Sequence, residues 1–256
     1  MNYGLQISAS GVLTSLYRQD VLTNNLANAA TPGFKPDVVS TAFRLAVRQE
    51  DALGNVPSDA LLERLGGGVI MAPNRVALTQ GAVQTTGNPL DLALEGDGFF
   101  VVHAGEAQGG GSVTLTRDGR FTIDPSRRLV MVSTGLPVLD GAGRPIVVPP
   151  GASVAVSSDG VVRQGERTLG RLRIAGVADA RLLERRGASL FAAPEGALRA
   201  GSARVVQGAI EAAGVDEVSA MMQIASAARA VEANVGMMQY QDRMMDRAIN
   251  TLGRVA

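Results

Sequence analysis

The C-terminal part of the chain repeats its apolar positions on an alternating spacing of four and three, a pattern that only one kind of element satisfies. Glu217, Met221, Ile224, Ala228, Val231, Val235, Met238, Asp242, Met245, Ile249 and Leu252 make up the row, and nine of the eleven are apolar. No proline follows Pro194, and Gly236 is the only glycine inside the run. Such spacing holds one stripe on one side of an α-helix, so the row predicts a helix from about Asp216 to Leu252 with a coiled-coil seam. At 1.5 Å per residue it would be roughly 55 Å long.

A second, weaker row opens the chain. Leu5, Ala9, Val12, Leu16, Gln19, Thr23 and Leu26 follow the same spacing, with five of seven apolar, and predict a helix from about Asn2 to Ala29. Both helices carry apolar residues off the seam: Leu13, Tyr17 and Leu22 on the first, and Met222, Ala225, Met237, Tyr240 and Met244 on the second. Six of the nine methionines fall between Met221 and Met245. A partner helix covers a single stripe, so two such helices paired within one chain leave apolar flanks that further subunits would cover. The plainer alternative is a closed two-helix pair with methionine as filler.

Between the helices the texture changes. From about Asn74 to Phe191 short β-prone runs alternate with turns, and Asp-Gly occurs at Asp97-Gly98, Asp118-Gly119, Asp140-Gly141 and Asp159-Gly160. Glycine accepts the positive φ of tight hairpins, so these pairs predict an antiparallel β domain, a sandwich or an open barrel. The fold class is therefore α+β. The expected organisation is a discontinuous helical domain from 1–30 and 212–256, connecting segments at 31–73 and 192–211, and a central β domain at 74–191. Residues 36–50 include a short amphipathic stretch, VVSTAFRLAV.

Composition removes several function classes. The formal charge is zero, so no global field attracts nucleic acid or an anionic membrane. Seven arginines lie between Arg163 and Arg186, but RLRI there alternates like a half-buried strand without interleaved aromatics, which fits a solvated sheet face better than a polyanion site. Cysteine is absent, which removes disulfides, thiolate metal sites and cysteine nucleophiles. No run approaches the roughly 18 apolar residues of a bilayer span, and the first residues lack the basic and apolar regions of a Sec-type signal peptide. The only histidine, His103, follows a strand-like FFVV, and Gly66–Gly68 and Gly109–Gly111 lack the Lys-Ser/Thr of a phosphate loop. Asp91 and Glu95 are expected on the polar side of a strand, with Asp97 in a turn, which is no setting for a desolvated general acid. No catalytic, cofactor or metal site is expected.

The first helix runs into NNLANAATPGFKPD, where Asn24, Asn25, Leu26 and Asn28 are followed by Pro32, Gly33, Phe34 and Lys35. Pro32 confines Thr31 to extended geometry and Gly33 permits an unusual φ, so the segment ends the helix. Lys35 is the only lysine among 24 basic residues.

QDVLTNNLANAATPGFKPD, residues 19–37, resembles the N-terminal signature of the bacterial flagellar rod and hook proteins, in which a helix leads into Asn-Asn-Leu-Ala-Asn and a Thr/Gly-Phe-Lys turn. EGDGFFVV, TRDGRFTID and LVMVSTGLPVL resemble the β-domain segments of that family. MMQIASAARAVEANVGMMQYQDRMMDRAINTLGRV resembles its C-terminal helix, including Arg229 to Asn234. Two departures stand out: Ala212-Ala213-Gly214-Val215 replaces a Ser-Asn-Val segment, and Val231 replaces a common aromatic.

The resemblance implies an axial, non-enzymatic component of the flagellar basal body in the periplasmic space. Its partners would be copies of itself, other rod subunits and the flagellar type III export apparatus, which would export it unfolded and without a cleaved signal peptide. It implies no cofactor, nucleic acid, small-molecule substrate or membrane insertion. Paired terminal helices would line the inner layer of a tube that carries motor torque to the hook, with the β domain outside. The length fits a rod protein with one β domain rather than the longer hook protein, and the opening MNYGLQISASGVLTSLYRQD is more similar to the proximal rod subunit adjoining the distal rod than to the distal rod protein itself. The assembly interface would comprise Leu5, Val12, Leu16, Leu26, Met221, Ile224, Ala228, Val231, Val235, Met238, Met245, Ile249 and Leu252. Residues 36–68 would brace neighbouring subunits, and Phe34 and Lys35 would meet a neighbour at the junction. A secreted coiled-coil protein displaying a β domain for adhesion shares the architecture but not the motifs.

Overall fold

A computed structural model of the chain describes residues 3–45, 66–103, 112–187 and 189–252. The chain divides into two compact units, one of Met1–Leu26, Asp37–Arg75 and Glu217–Ala256, the other of Ala27–Pro36 and Val76–Asp216.

The first unit is built on helix α1 (Tyr3–Ala27) and on strands β1 (Asp37–Arg44) and β2 (Gly68–Val76), which form a two-stranded sheet. Its third part is the long helix that closes the described chain, α2 (Glu217–Leu252). Glu217 in the first turn of α2 complements the positive end of the helix dipole. α1 stops because Asn28 turns its carbonyl to Thr31 N–H (3.0 Å) and because Pro32 has no N–H to continue the ladder. The stretch VVSTAFRLAV, read as amphipathic, begins as β1; residues 46–65 lie outside the described part.

The second unit is β-rich. In chain order it contains β3 (Val83–Thr85), β4 (Leu92–Glu95), β5 (Phe99–Val102), β6 (Ser112–Thr116), β7 (Phe121–Ile123) and β8 (Leu129–Met131). There follow β9 (Val154–Val156), β10 (Val161–Gln164), β11 (Arg167–Arg171), β12 (Ile174–Val177) and β13 (Glu184–Arg185). The last four are β14 (Leu190–Pro194), β15 (Leu198–Ala200), β16 (Arg204–Gln207) and β17 (Ala209–Glu211). A six-stranded sheet in the order β13-β14-β6-β5-β12-β15 is joined by a three-stranded sheet β11-β10-β9 and by the pairs β16-β4, β17-β3 and β7-β8. These pairings are antiparallel.

β5 explains how the core is arranged. Successive side chains of a strand point to opposite faces. Phe100 and Val102 enter a cluster with Leu92, Leu94, Phe121, Leu129, Met131 and Val162, while Phe99 and Val101 enter a second one with Leu115, Val177 and Phe191. Both clusters contain an edge-to-face aromatic pair, Phe100 with Phe121 (centroids 5.2 Å apart) and Phe99 with Phe191 (5.8 Å). An FFVV run buried on both sides is therefore the hinge of two cores, one on each face of the sheet.

Only two of the four Asp-Gly pairs turn a hairpin. Asp159-Gly160 links the paired strands β9 and β10, and Asp140-Gly141 lies within the Leu139↔Pro145 bridge. Asp97-Gly98 and Asp118-Gly119 connect strands that pair elsewhere. Asp118 is fully buried, and its carboxylate takes both the Nε (3.1 Å) and an Nη (3.0 Å) of Arg120 and the Ser133 hydroxyl (3.2 Å).

Candidate functional site

The Ala27–Pro36 segment belongs to the β-rich unit, and its side chains and backbone are anchored there. Gly33 adopts φ +67°, and a Cβ at that position would stand 2.2 Å from the Arg117 carbonyl carbon, so no other residue fits. Its N–H donates to the Glu211 carbonyl at 2.8 Å. Gly214 N–H donates to the Phe34 carbonyl at 2.9 Å, and Ala77 N–H to the Pro36 carbonyl at 2.8 Å.

Phe34 and Lys35 are 0% and 1% exposed. The Arg185 guanidinium lies over the Phe34 ring (4.8 Å) and the Phe191 ring (5.0 Å) and donates to the Lys35 carbonyl. Lys35 Nζ donates to Glu211 Oε1 at 2.6 Å and to the Thr79 carbonyl at 2.7 Å. Glu211 Oε2 receives Arg117 Nη1 at 2.9 Å, and Oε1 also receives Gly81 N–H at 2.9 Å. The Leu94 carbonyl (3.2 Å) and the Gly96 carbonyl (2.6 Å) take the other Arg117 donors, while Arg117 Nε is buried without a partner among the described residues.

Two buried cations thus share one buried carboxylate. Burial pushes the Lys35 ammonium below its ordinary 10.5, against the pull of Glu211. The expectation that Phe34 and Lys35 reach toward a neighbour is corrected here: both side chains are consumed inside their own chain. Glu211 and Arg185, which complete the arrangement with Arg117 of TRDGRFTID, carry no signal in the local sequence.

The asparagines divide the work. In the helical unit, Asn25 is buried and pairs with the backbone of Asp37 in both directions, its Nδ2 donating to the carbonyl (2.8 Å) and its Oδ1 accepting from the N–H (3.0 Å). Asn28 Oδ1 accepts from the Thr31 hydroxyl (3.3 Å). Asn24 is exposed, and Leu26 and Pro32 are half-buried.

Of the residues expected at the assembly interface, Leu5, Val12, Leu26, Ile224, Ala228, Val231 and Met238 are half-buried. Leu16, Met221, Val235, Met245 and Ile249 are exposed, Ile249 to 65%. The side chain of Leu252 lies outside the described part. The best covered positions of α2 are Ala220 and Ala227, one residue before Met221 and Ala228. Outside the expected rows, Leu13, Met222, Met237, Tyr240 and Met244 are also exposed, as are Val38, Phe43, Val69, Ile70 and Met71 of the β1–β2 ribbon.

The groups considered for chemistry lie apart from this. Asp91 is buried rather than on a polar face, because it closes a turn by accepting from the Thr86 hydroxyl (2.7 Å) and from Asn88 Nδ2 (3.0 Å). Glu95 is exposed, Asp97 is ion-paired with Arg199, and His103 is exposed at the end of β5. Arg173 and Arg186 of the basic stretch meet Glu195 and Glu184, both at an exposed surface. Gly109–Gly111 lies outside the described residues.

Three family descriptions match in order along the chain. Residues 5–35 match "Flagella basal body rod protein", residues 93–164 "Flagellar hook protein FlgE/F/G D1 domain", and residues 206–251 "Flagellar basal body rod FlgEFG protein C-terminal". The chain is 32% identical to the flagellar basal-body rod protein FlgF of Caulobacter vibrioides over the whole of both chains. It is 30% identical to FlgF of Salmonella typhimurium over 97% of each, and 29% identical to the rod protein FlgG of Borreliella burgdorferi over 98% of each.

Proposed function

Because the chain belongs to the bacterial flagellar basal-body rod and hook protein family, we propose that it is a structural subunit of the rod, in the proximal segment that adjoins the distal rod. Full-length similarity to proteins named FlgF supports the proximal position. In this reading α1 and α2 pair as a coiled coil and pack against helices of neighbouring subunits, the flagellar export apparatus carries the unfolded chain out, and the polymer passes torque to the hook. Residues 36–68 brace neighbouring subunits.

The observation that carries the assembly is the set of long apolar side chains left uncovered around α2: Met221, Met222, Met237, Tyr240, Met244, Met245 and Ile249. Apolar surface on this scale is rare on a protein that works alone. A repeating head-to-tail contact gives an open helical polymer in which each copy covers the next.

Electron microscopy of basal bodies from a strain lacking this protein tests the proposal. Assembly is expected to stop at an incomplete rod without a hook, and re-expression of the chain restores it. Complete, motile flagella in the deletion strain would overturn the role. Arrest with the proximal rod fully built would move the subunit to the distal position.

A further inference from the structure

Two contacts between α1 and α2 each set a side-chain amide against a glycine. Gly4 lies against the side-chain amide of Gln241, and a Cβ there would stand 2.7 Å from Nε2. Gly11 lies against Asn234, where the same construction reaches Oδ1 at 3.0 Å. The residue numbers rise on one helix as they fall on the other, so the helices run antiparallel. On each helix the two positions are seven apart. On α2 the row continues backward through Ala227 and Ala220, which are both buried, while the methionines of the helix are left half-buried or exposed.

Amides are an odd choice for a covered position. Asn234 spends its Nδ2 on the Ala230 carbonyl of its own helix (2.8 Å), and Gln241 Oε1 is buried without a partner among the described residues. Apolar residues would bind more strongly and would do so at several alignments, because one Leu or Met fits a groove much like the next. A polar residue at a seam position sacrifices stability and selects one alignment.

We infer that Asn234 and Gln241 are register keys, and that Gly4 and Gly11 are the notches that receive them. If α2 slid by one heptad, Asn234 would face Gly4 with Gln241 beyond it, or Gln241 would face Gly11 with Asn234 opposite Arg18. Only the observed alignment seats both amides on glycine. The inference rests on the helix pairing proposed above and adds its purpose: the keys set which outward side chains of α1 stand level with which of α2. The surface offered to the next copy therefore has a fixed axial pattern. This gives Asn234, the last residue of the Arg229–Asn234 segment, a task that its sequence does not suggest.

The absence of natural cysteine makes a disulfide test clean. Midway between the two key contacts, Ser8 on α1 is buried and Met238 on α2 is half-buried. In the purified full-length chain, the pair Ser8→Cys with Met238→Cys reports the native alignment, and Ser8→Cys with Met245→Cys or Val231→Cys reports a slip of one heptad either way. The native pair is expected to oxidise and the slipped pairs to stay reduced. Adding Asn234→Leu and Gln241→Leu should raise the slipped disulfides by about fivefold or more. Slipped pairs that stay silent while the native pair still forms would overturn the keys and leave the pairing intact. Absence of the native disulfide in the parent chain would remove the pairing, and the inference with it. Gly11→Leu provides an independent check by filling a notch: the native disulfide should fall by about fivefold, and an unchanged yield would count against the inference.

Discussion

Among the described residues, Glu211 is the one anion paired with both buried cations, Lys35 and Arg117. Removing one partner of a buried ion pair is far costlier than exchanging the whole group for apolar residues. Glu211→Gln leaves Lys35 and Arg117 buried together without an anion, and we expect a loss of about 3–5 kcal/mol in denaturant unfolding of the full-length chain. Lys35→Met leaves Arg117 to neutralise the carboxylate and orphans mainly the Thr79 carbonyl, so about 1–2 kcal/mol is expected. The reverse order would refute this account of the site. The Lys35 ammonium titrates below its ordinary 10.5 in the folded chain, so the unfolded chain holds that proton at higher pH. Stability should therefore rise between the lowered value and 10.5 as the pH climbs, and this increment should be missing from Lys35→Met. None of this was legible beforehand: a lone lysine reads as a surface cation, and its partner lies 176 residues away with nothing local to announce it.

At the scale of elements, the two helices and the β-rich middle were plain from spacing and turn residues. The covered face of α2 was not. Apolarity marks the side of a helix that must leave water, whether the cover comes from the same chain or from another. The two buried positions, Ala220 and Ala227, sit one residue before Met221 and Ala228 of the expected row, and Asn234 and Gln241 continue their spacing at the same half-buried level as Ala228. Small and polar residues hid the internal contact, and the methionines advertised the outward one. The Asp-Gly pairs misled for a related reason: the dipeptide reports a tight local turn but says nothing of whether the flanking strands pair. The outward side of α2 can be tested directly. Ile249→Asp alters an exposed position, so the stability of the isolated chain should move by less than about 0.5 kcal/mol, while incorporation into basal bodies should be lost. Normal swimming with Ile249→Asp would show that this end of α2 is not an assembly surface.

For the whole molecule, the division into units predicts uneven protection. The β-rich unit has two apolar clusters and a closed ionic centre, whereas much of α1 and α2 stands open to water. Helices gain most of their stability from packing, so in the free chain their amides should exchange within seconds to minutes while those of β5 and β6 persist for far longer. In the polymer the helical amides should become as slow as those of the sheet, and equal protection in both states would mean that assembly adds no cover. The long reach from Lys35 to Glu211 also has a consequence in time. A ribosome adds roughly 5–20 residues per second, so the carboxylate is synthesised on the order of ten to thirty seconds after the ammonium that needs it. For the last 94 residues of that interval, once Arg117 has been made, the nascent chain carries two cations with no anion to join them. Closure of the site is thus a late event in the life of each molecule, and a truncated product that ends before residue 211 can never reach it.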